Sequence, residues 1–300
     1  MGHLFADSVL QLLNASGCDI KQVAGIGCHG QTIRHQPNAK IPYTVQIGDP
    51  NIIAAKTGIT TVADFRRKDL ALGGQGAPLV PAFHELVWRN EQCDHVIVNI
   101  GGIANITWLP KNPEAALIAF DTGPGNTLMN AWIQQNLQHE FDDNGAWAAT
   151  GKPIQRLLDT LLQDSYFHAP YPKSTGTDYF HLQWLQSRLQ PQDTPQDVQA
   201  TLLELTAQSI VQSIRLLTQQ AAEIVLCGGG ANNSQLFNRI QTLSSPSTVT
   251  TSNHYDISVD WLEAIAFAWL AKRTLEGLTS NVPSATGARS SAILGGIYQA

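Results

Sequence analysis

The amino-acid sequence predicts an α/β fold built on two sheets. Short apolar runs such as "QVAGIGC" and "HVIVNI" alternate with helical patterns, which is typical of sheets covered by helices. The strand pattern starts again near residue 93, and this restart indicates a second sheet. Glycine clusters follow several of the strands. Because ligands of such folds bind where the strands end, these clusters mark the region in which to look for a site.

Bulk composition excludes several classes of protein. A chain of 300 residues is comfortable for two domains, and its net charge of −6 gives no basic surface for nucleic acid or for a membrane. No apolar run is long enough to cross a bilayer. The N-terminus lacks a basic segment and reads as an amphipathic helix, not as a signal peptide. The four cysteines form no CxxC pair and have no metal-ligand spacing, so we expect reduced thiols and a cytoplasmic protein.

The first ninety residues alternate between helix and strand. Leu4, Phe5, Val9, Leu12 and Leu13 lie on one face and predict a helix over 3–14. Strands are predicted around "QVAGIGC", "YTVQIG" and "TTVADF", joined by turns rich in Gly, Pro and Asn. Pro78 and Pro81 are placed to begin a helix over 78–90.

The remainder of the chain repeats this organisation around a long irregular segment. Strands are predicted at "HVIVNI", "ITWLP", "ALIAF" and "EIVLC". Apolar periodicity predicts helices over 126–137, 196–220 and 259–275, and another at "NSQLFNRIQTL". Residues 140–195 are rich in Pro, Gly and Asp and are predicted to be irregular.

Three glycine clusters each follow a predicted strand: "NIGGIAN" (99–105), "DTGPGN" (121–126) and "CGGGANN" (227–233). Without a Cβ, their backbone N–H groups can approach phosphate oxygens or a nucleoside. One such cluster can be an ordinary turn, whereas three at strand ends favour a nucleotide site. None fits GxxxxGK[ST] or GxGxxG, so neither a P-loop nor a Rossmann site is supported. The candidate cofactor-binding residues are Gly101, Gly102, Asn105, Gly123, Gly125, Gly228, Gly229 and Gly230.

A second group of polar residues follows the strands of the first ninety residues, in "CHGQTIRH", "DFRRKD" and "GGQGAP". Its donors and acceptors are of the kind that bind sugar hydroxyls or a carboxylate, although His29 or Arg66 alone could equally make a structural hydrogen bond. Asp69, with Arg67 and Lys68, is expected on a solvated face. The candidate substrate-binding residues are His29, Gln31, Thr32, Asp64, Arg66 and Gln75.

Two carboxylates are candidate catalytic residues. Asp121 ends an apolar strand at a glycine turn, where a helix cap, a metal ligand and a general base are all open interpretations. Glu263 lies in a predicted helix that is apolar on nearly every side. An unpaired buried carboxylate is costly, so Glu263 is expected to face a cleft or a partner, with a salt-bridged structural role as the alternative.

The motifs together resemble those of a known family. "GCHGQTIRH", "VNIGGIANIT", "FDTGPGN", "PKSTGTDYF", "CGGGANN" and "NVPSATGAR" occur in the order found in 1,6-anhydro-N-acetylmuramic acid kinases. The resemblance implies two RNase-H-like domains of the actin and sugar-kinase type with a cleft between them. Residues 1–92 would be the remainder of an N-terminally truncated first, sugar-side domain. Residues 93–300 would form the second domain, with the segment from about 281 packing back on the first.

The same resemblance implies the activity and the roles of the candidate residues. The family opens the 1,6-anhydro ring by hydrolysis and transfers the γ-phosphoryl group of ATP, with Mg²⁺, to O6 in peptidoglycan recycling. Asp121 matches the general base, Gly101 and Gly102 match the second phosphate loop, and Gly228 to Gly230 match the adenosine loop. Glu263 is implied to lie near the sugar or its attacking water. A homodimer is also implied, because the family is commonly dimeric.

One family motif has no counterpart in this chain. The resemblance places a first phosphate loop, with a Ser-Gly-Thr-Ser-Leu-Asp-Gly-like motif, before the segment matching "GHLFADS". Since phosphoryl transfer depends on positioning the phosphates, we expect this chain to be poorly active or inactive, and less stable than a full-length relative. Two other functions stay open: a non-catalytic nucleotide- or sugar-binding remnant, and a plain glycoside hydrolase that uses Asp121 and Glu263 as its carboxylate pair.

Overall fold

The structure, a computed structural model, describes residues 1–300 and divides them into two compact units. The first unit contains residues 1–87 together with 263–300, and the second contains residues 88–262. The division therefore lies at residue 87, where the sequence placed it at 92. The segment that returns to the first unit begins at Glu263, where the sequence placed its start near 281.

Strands and helices alternate along both units. The strands are β1 (Ile26–Cys28), β2 (Gln31–Gln36), β3 (Tyr43–Ile47), β4 (Thr61–Ala63), β5 (Asp94–Ile100), β6 (Ile103–Leu109), β7 (Ile118–Pro124), β8 (Ala222–Cys227), β9 (Thr248–Thr251) and β10 (Gly296–Tyr298). The α-helices are α1 (Gly2–Ser16), α2 (Pro50–Thr57), α3 (Arg67–Ala71), α4 (Pro81–Trp88), α5 (Thr127–Leu137), α6 (Gln155–Leu162), α7 (Ser165–His168), α8 (Leu182–Gln186), α9 (Pro195–Leu217), α10 (Ser234–Ser244), α11 (Leu262–Leu275) and α12 (Pro283–Thr286). Short 3₁₀ helices cover Ile20–Gln22, Asp143–Gly145, Ala148–Thr150, Gly229–Asn232 and Ser252–Tyr255.

A five-stranded sheet in the order β7-β6-β5-β8-β9 organises the second unit. Strands β5, β6 and β7 run antiparallel, whereas β8 and β9 run parallel to β5, as expected for an RNase-H-like domain. Helix α9 contacts β6 and β7, and its buried Leu202, Leu205 and Ile210 contribute to the core of the unit. Because β5 and β8 are parallel neighbours, the turns after them emerge at the same edge of the sheet.

The first unit is held by a smaller sheet in which β4 pairs with β1 in parallel and with β10 in antiparallel register. Strands β2 and β3 form a separate hairpin. The core cluster of the first unit includes Phe65, Phe267 and Leu294, so it combines residues from both ends of the chain. A Cβ at Gly27 would lie 2.2 Å from the carbonyl oxygen of Phe267, so the approach of α11 to β1 requires glycine there.

Most predicted elements are present, and the main difference lies in residues 140–195. This segment was predicted to be irregular, yet it contains α6, α7 and α8. Leu157, Leu158 and Leu161 of α6 are buried, which is the apolar spacing of a short helix. The neighbouring prolines and glycines concealed that spacing. No helix of the structure is both long enough and apolar enough to cross a membrane.

Asp69 corrects a second prediction, because its side chain is fully buried and not solvated. Its Oδ2 accepts a 2.8 Å hydrogen bond from the backbone N–H of Gly76. Its Oδ1 accepts from the Nδ2 of Asn281 at 3.0 Å and from the Oγ1 of Thr286 at 2.8 Å. The carboxylate therefore ties the "GGQGAP" loop to the C-terminal segment within the first unit.

Candidate active site

Asp121 ends a row of polar residues that crosses three strands of the second unit. It lies opposite Asn105 of β6, which in turn lies opposite Asn99 of β5. Directly opposed residues in a sheet have neighbouring side chains on the same face. The row therefore connects the carboxylate with the strand end that precedes Gly101.

Helix α7 and the residues that follow it up to Thr175 fix the position of Asp121. The backbone N–H of Thr175 donates to Oδ2 of Asp121 at 2.9 Å. The N–H of Asp121 donates to the carbonyl of Lys173 at 3.1 Å, and its carbonyl accepts from the hydroxyl of Tyr166 at 2.8 Å. Asp121 is half-buried, so the carboxylate is oriented by this segment while part of it stays accessible.

The charge of Asp121 shifts the pKa values of two nearby side chains, Tyr166 and Lys173. Burial raises the pKa of Tyr166, and the Asp121 carboxylate raises it further, so the phenol stays a protonated donor. Burial lowers the pKa of Lys173, while the Asp121 carboxylate opposes that shift. The Nζ of Lys173 donates to the carbonyl of Tyr166 at 2.9 Å and lies 4.7 Å from its ring centroid. This lysine stabilises the segment that carries Thr175.

Two of the predicted glycine clusters are hydrogen-bonded to each other. The N–H of Gly125 donates to the carbonyl of Gly102 at 2.9 Å, and the N–H of Asn126 donates to that of Gly101 at 2.8 Å. A Cβ on Gly125 would lie 2.4 Å from the oxygen of Gly101, so the two loops can pack only with glycine at 125. The hydroxyl of Thr206 in α9 donates to the carbonyl of Gly125 at 3.0 Å and so ties the loop to α9.

The third cluster packs against the same strand end. Gly228 has a φ of +76°, and a Cβ there would lie 2.3 Å from the Oδ1 of Asn99. A Cβ on Gly230 would lie 2.2 Å from the Cγ2 of Ile100. Gly229 is exposed and faces open space. The structure thus brings together all the predicted cofactor-binding residues, namely Gly101, Gly102, Asn105, Gly123, Gly125, Gly228, Gly229 and Gly230, on one edge of the sheet that carries Asp121.

A pocket of about 290 Å³ opens beside this edge of the second unit. It is rich in side-chain amides, and its lining comprises Asn126, Met129, Asn130, Phe141, Asp142, Asp143, Asn144, Gly229, Asn232 and Asn233. An amide offers both a donor and an acceptor, so such a lining can bind the edge of a base or the hydroxyls of a ribose. Sequence analysis missed Asn130 and Asn144, because the former lies in a helix and the latter in the segment predicted to be irregular.

In the first unit, His29 and Arg66 form a hydrogen-bonded pair. The Nε of Arg66 donates to the Nε2 of His29 at 3.0 Å, and the Nη1 of Arg66 donates to the carbonyl of Gly76 at 2.8 Å. Burial lowers the pKa of His29 to about 4, and the positive charge of Arg66 lowers it further. At neutral pH the imidazole is therefore uncharged and accepts from the guanidinium.

The other predicted sugar-side residues lie in different parts of the first unit. Asp64, at a φ of +64°, forms a 2.6 Å ion pair with Arg67 and lines a pocket of about 230 Å³ with His29. Thr32 accepts from Gln46 in the β2–β3 hairpin at 3.1 Å. Gln31 is exposed on that hairpin. The N–H of Gln75 donates to the carbonyl of Thr286 at 2.8 Å, so this backbone contact is structural.

Glu263 lies in the first turn of α11, within the first unit, and is exposed. The sequence predicted a helix that is apolar on nearly every side, with Glu263 facing a cleft or a partner. Ile265 is 41% exposed, so α11 buries one face and presents the other. Solvation of Glu263 removes the cost of burial that singled it out from the sequence.

Comparison with known proteins shows which family the chain belongs to. A family model described as "Anhydro-N-acetylmuramic acid kinase" matches residues 1–300. The chain belongs to this family. The prediction of an anhydro-N-acetylmuramic acid kinase, an ATP-dependent phosphotransferase of amino-sugar metabolism, is thereby confirmed.

Several relatives carry the same family name. The anhydro-N-acetylmuramic acid kinase of Coxiella burnetii strain RSA 493 is 54% identical over 299 residues, covering 99% of this chain and 80% of the relative. That of Shewanella amazonensis is 54% identical over 302 residues, covering 100% and 81%. That of Pasteurella multocida is 50% identical over 301 residues, covering 99% and 79%.

Solved structures with a similar course of the chain are more distant. The activator of 2-hydroxyisocaproyl-CoA dehydratase from Clostridium difficile with bound ADPNP has a TM-score of 0.43 and 12% identity, covering 78% of this chain and 87% of its own. Xylulose kinase from Rhodospirillum rubrum has a TM-score of 0.39 and 15% identity, covering 76% and 48%. The fold assignment rests on the family and on the observed sheets, not on these similarities.

Proposed function

We propose that this anhydro-N-acetylmuramic acid kinase hydrolyses the 1,6-anhydro ring and phosphorylates the released O6, giving N-acetylmuramic acid 6-phosphate. The observation that carries the proposal is the placement of Asp121 on the same sheet edge as the three glycine loops. The Asp121 carboxylate can then act as a base on the sugar while the backbone of the glycine loops binds the phosphates of the nucleotide. The balanced reaction consumes one water and one ATP and releases ADP.

Asp121 is proposed as the general base. Its carboxylate accepts a proton from the water that attacks C1, and the C1–O6 bond breaks as the C1–O bond forms. The hydrogen bond from the N–H of Thr175 orients the carboxylate for this transfer. The proton on Asp121 then passes to solvent, and O6 becomes the acceptor of the phosphoryl group.

The glycine loops and the amide-lined pocket fit a nucleotide. Gly228 and Gly230 have no room for a Cβ, whereas exposed Gly229 and Gly102 present backbone to an incoming group. We assign the nucleoside to the pocket lined by Asn130 and Asn232, and the phosphates to the 101–102 and 123–125 loops. When bound, ATP would supply the phosphoryl group, and Mg²⁺ would offset the negative charge of its phosphates.

The first unit is proposed to bind the sugar. His29 and Asp64 share a pocket, and the Arg66 guanidinium holds the neutral His29 in a fixed orientation. Gln31, Thr32, Gln75 and Glu263 complete the proposed sugar-side set, as their motif positions imply. A homodimer and a cytoplasmic location belong to the same proposal; the latter is supported by four free cysteines.

The test is incubation of the 300-residue chain with 1,6-anhydro-N-acetylmuramic acid and Mg-ATP. We expect slow ADP release that requires the sugar, and a product heavier by one water and one phosphoryl group in mass spectrometry. Chelation of Mg²⁺ should stop the transfer. Ring opening without ATP would instead indicate a glycoside hydrolase, and calorimetric binding of the sugar without turnover would indicate a non-catalytic protein.

A further inference from the structure

A second cluster of reactive side chains lies at the opposite edge of the second unit's sheet. Cys93 precedes β5, His95 is the second residue of β5, and Glu223 is the second residue of β8. His95 and Glu223 are paired across these parallel strands. Cys93 and His95 are two residues apart in nearly extended chain, so their side chains lie on the same face. The three side chains therefore converge although Glu223 is remote in sequence.

The three ligand groups of this cluster lie close enough together to be considered as ligands of one small cation. The Nε2 of His95 lies 3.4 Å from the Oε2 of Glu223, and the Nδ1 of His95 lies 4.0 Å from the Sγ of Cys93. One ligand atom from each residue lies within 4.8 Å of the other two. The edges of a tetrahedral zinc site are about 3.3–3.6 Å long, from the usual Zn–S, Zn–N and Zn–O bond lengths. The His95–Glu223 distance matches one such edge, whereas the Sγ of Cys93 lies beside the other ring nitrogen and has to move towards Nε2 before all three residues can bind one ion.

Neighbouring groups fix the orientation of Glu223 and His95. The hydroxyl of Tyr255 donates to Oε1 of Glu223 at 2.5 Å, which leaves Oε2 directed at His95. Such hydrogen bonds from an outer residue orient a metal-binding carboxylate. His95 is only 2% exposed, so its ring is held by packing.

We propose that Cys93, His95 and Glu223 form a binding site for a zinc-type divalent transition-metal ion. Sulfur, imidazole and carboxylate ligands together favour such an ion over Mg²⁺ or Ca²⁺. Water occupies the fourth position. On binding, the thiol of Cys93 releases its proton to solvent and the sulfur binds the ion as a thiolate. The site is separate from the proposed phosphoryl-transfer site and does not depend on it.

The position of the site gives it a structural role. Strands β5 and β8 carry Gly101 and Gly228 directly after their carboxyl ends. The ion cross-links the same two strands near their other ends, through His95 and Glu223. Because the ion binds only the folded arrangement, it stabilises the sheet on which both nucleotide loops are mounted.

Cobalt provides a direct test on the full chain, since Co²⁺ replaces zinc and its absorption reports the ligands. We expect metal-free protein to bind one equivalent of Co²⁺ with a visible ligand-field spectrum and a thiolate-to-cobalt charge-transfer band, both abolished by added Zn²⁺. Cys93→Ser should lose the charge-transfer band. Glu223→Gln, which keeps an acceptor for Tyr255, should weaken Co²⁺ binding by about 10-fold or more. Cys18→Ser is the matched control, because Cys18 is exposed and belongs to the first unit.

A second measurement covers the case in which Cys93→Ser does not fold. Excess Zn²⁺ should raise the Tm of the wild-type and Cys18→Ser proteins by more than about 2 °C and that of Glu223→Gln by clearly less. The proposal is overturned if the wild-type protein gives no cobalt spectrum, if the band persists in Cys93→Ser, or if it disappears in Cys18→Ser. An equal zinc-induced shift in Glu223→Gln would also overturn it.

Discussion

The backbone N–H of Thr175 donates a 2.9 Å hydrogen bond to the Oδ2 of Asp121, so a loop residue orients the carboxylate of a strand residue far from it in sequence. Because the donor is a backbone N–H, most substitutions of the Thr175 side chain keep this hydrogen bond. A displacement of the loop breaks it. The segment from Tyr166 to Thr175 is thus the support of the proposed base. Its contacts with the backbone of Asp121 make strand and loop a single element of the site.

Replacing Asp121 by Asn should abolish ring opening while leaving the fold intact. The amide cannot accept the proton of the attacking water, and loss of a general base typically lowers kcat by about 10²–10⁴-fold. The measurement is sugar-dependent ADP release, with ATP binding by calorimetry as the second readout. Asp159→Asn is the matched control, because Asp159 is exposed on α6. Unchanged turnover in Asp121→Asn would exclude the assigned role.

Gly230→Ala should be less stable than Gly229→Ala. The added methyl at 230 would lie 2.2 Å from the Cγ2 of Ile100, whereas at 229 it meets no heavy atom within 4 Å. Overpacking of this kind costs about 1–3 kcal/mol, and a methyl in open space changes stability by less than about 0.5 kcal/mol. Urea unfolding monitored by circular dichroism compares the two variants. Equal midpoints would show that the turn relaxes freely around residue 230.

Asp69→Ala should lower the free energy of unfolding by about 3 kcal/mol or more. The substitution leaves the N–H of Gly76, the amide of Asn281 and the hydroxyl of Thr286 without their buried acceptor. Asp7→Ala is the control, since Asp7 forms an exposed ion pair with Lys56, and such pairs contribute at most about 1 kcal/mol. Limited proteolysis should release the C-terminal segment first in Asp69→Ala, and equal digestion of both variants would contradict the role assigned to Asp69.

His29 should make the protein less stable as the pH falls from about 6.5 to about 4. In the unfolded chain the imidazole has its ordinary pKa of 6.5, whereas burial lowers the folded value to about 4. Within this window the unfolded state binds the extra proton, so the contribution of His29 is complete above pH 6.5 and is lost as the pH falls through 4. His29→Gln should flatten this part of the profile in chemical unfolding.

A control separates His29 from other histidines. His3 is exposed, so His3→Gln should retain the full pH dependence. Burial lowers the pKa of His84 to about 3, so both variants should keep the loss of stability between pH 6.5 and 3 that His84 causes. Identical profiles for His29→Gln and the wild-type protein would show that protonation of His29 is not coupled to folding.

Sequence reasoning located the candidate loops well, because glycine at a strand end has a local cause. Gly125, Gly228 and Gly230 are required by contacts with residues of the adjacent strand end, and their clustering is visible in the sequence. The strand pattern of β5 to β8 follows from apolar runs in the same way. The family motifs imply the proposed roles, which local spacing alone left open at Asp121.

Long-range partners were not predictable from local patterns. The acidic and basic neighbours of Asp69 suggested solvent, but its partners Asn281 and Thr286 come from the other end of the chain. The cysteines showed no metal-ligand spacing, yet strand pairing brings Glu223 beside His95 and Cys93. In each case the tertiary fold assembles a set of polar atoms that no sequence window contains.

The pairing of β10 with β4 has a consequence for the order of synthesis. Residues 88–262 form one uninterrupted unit, whereas the other unit combines 1–87 with 263–300. As the chain leaves the ribosome, the continuous unit has all its strands before the discontinuous one has received α11 and β10. The edge of β4 that pairs with β10 therefore stays without its partner strand until residues 263–300 have been synthesised.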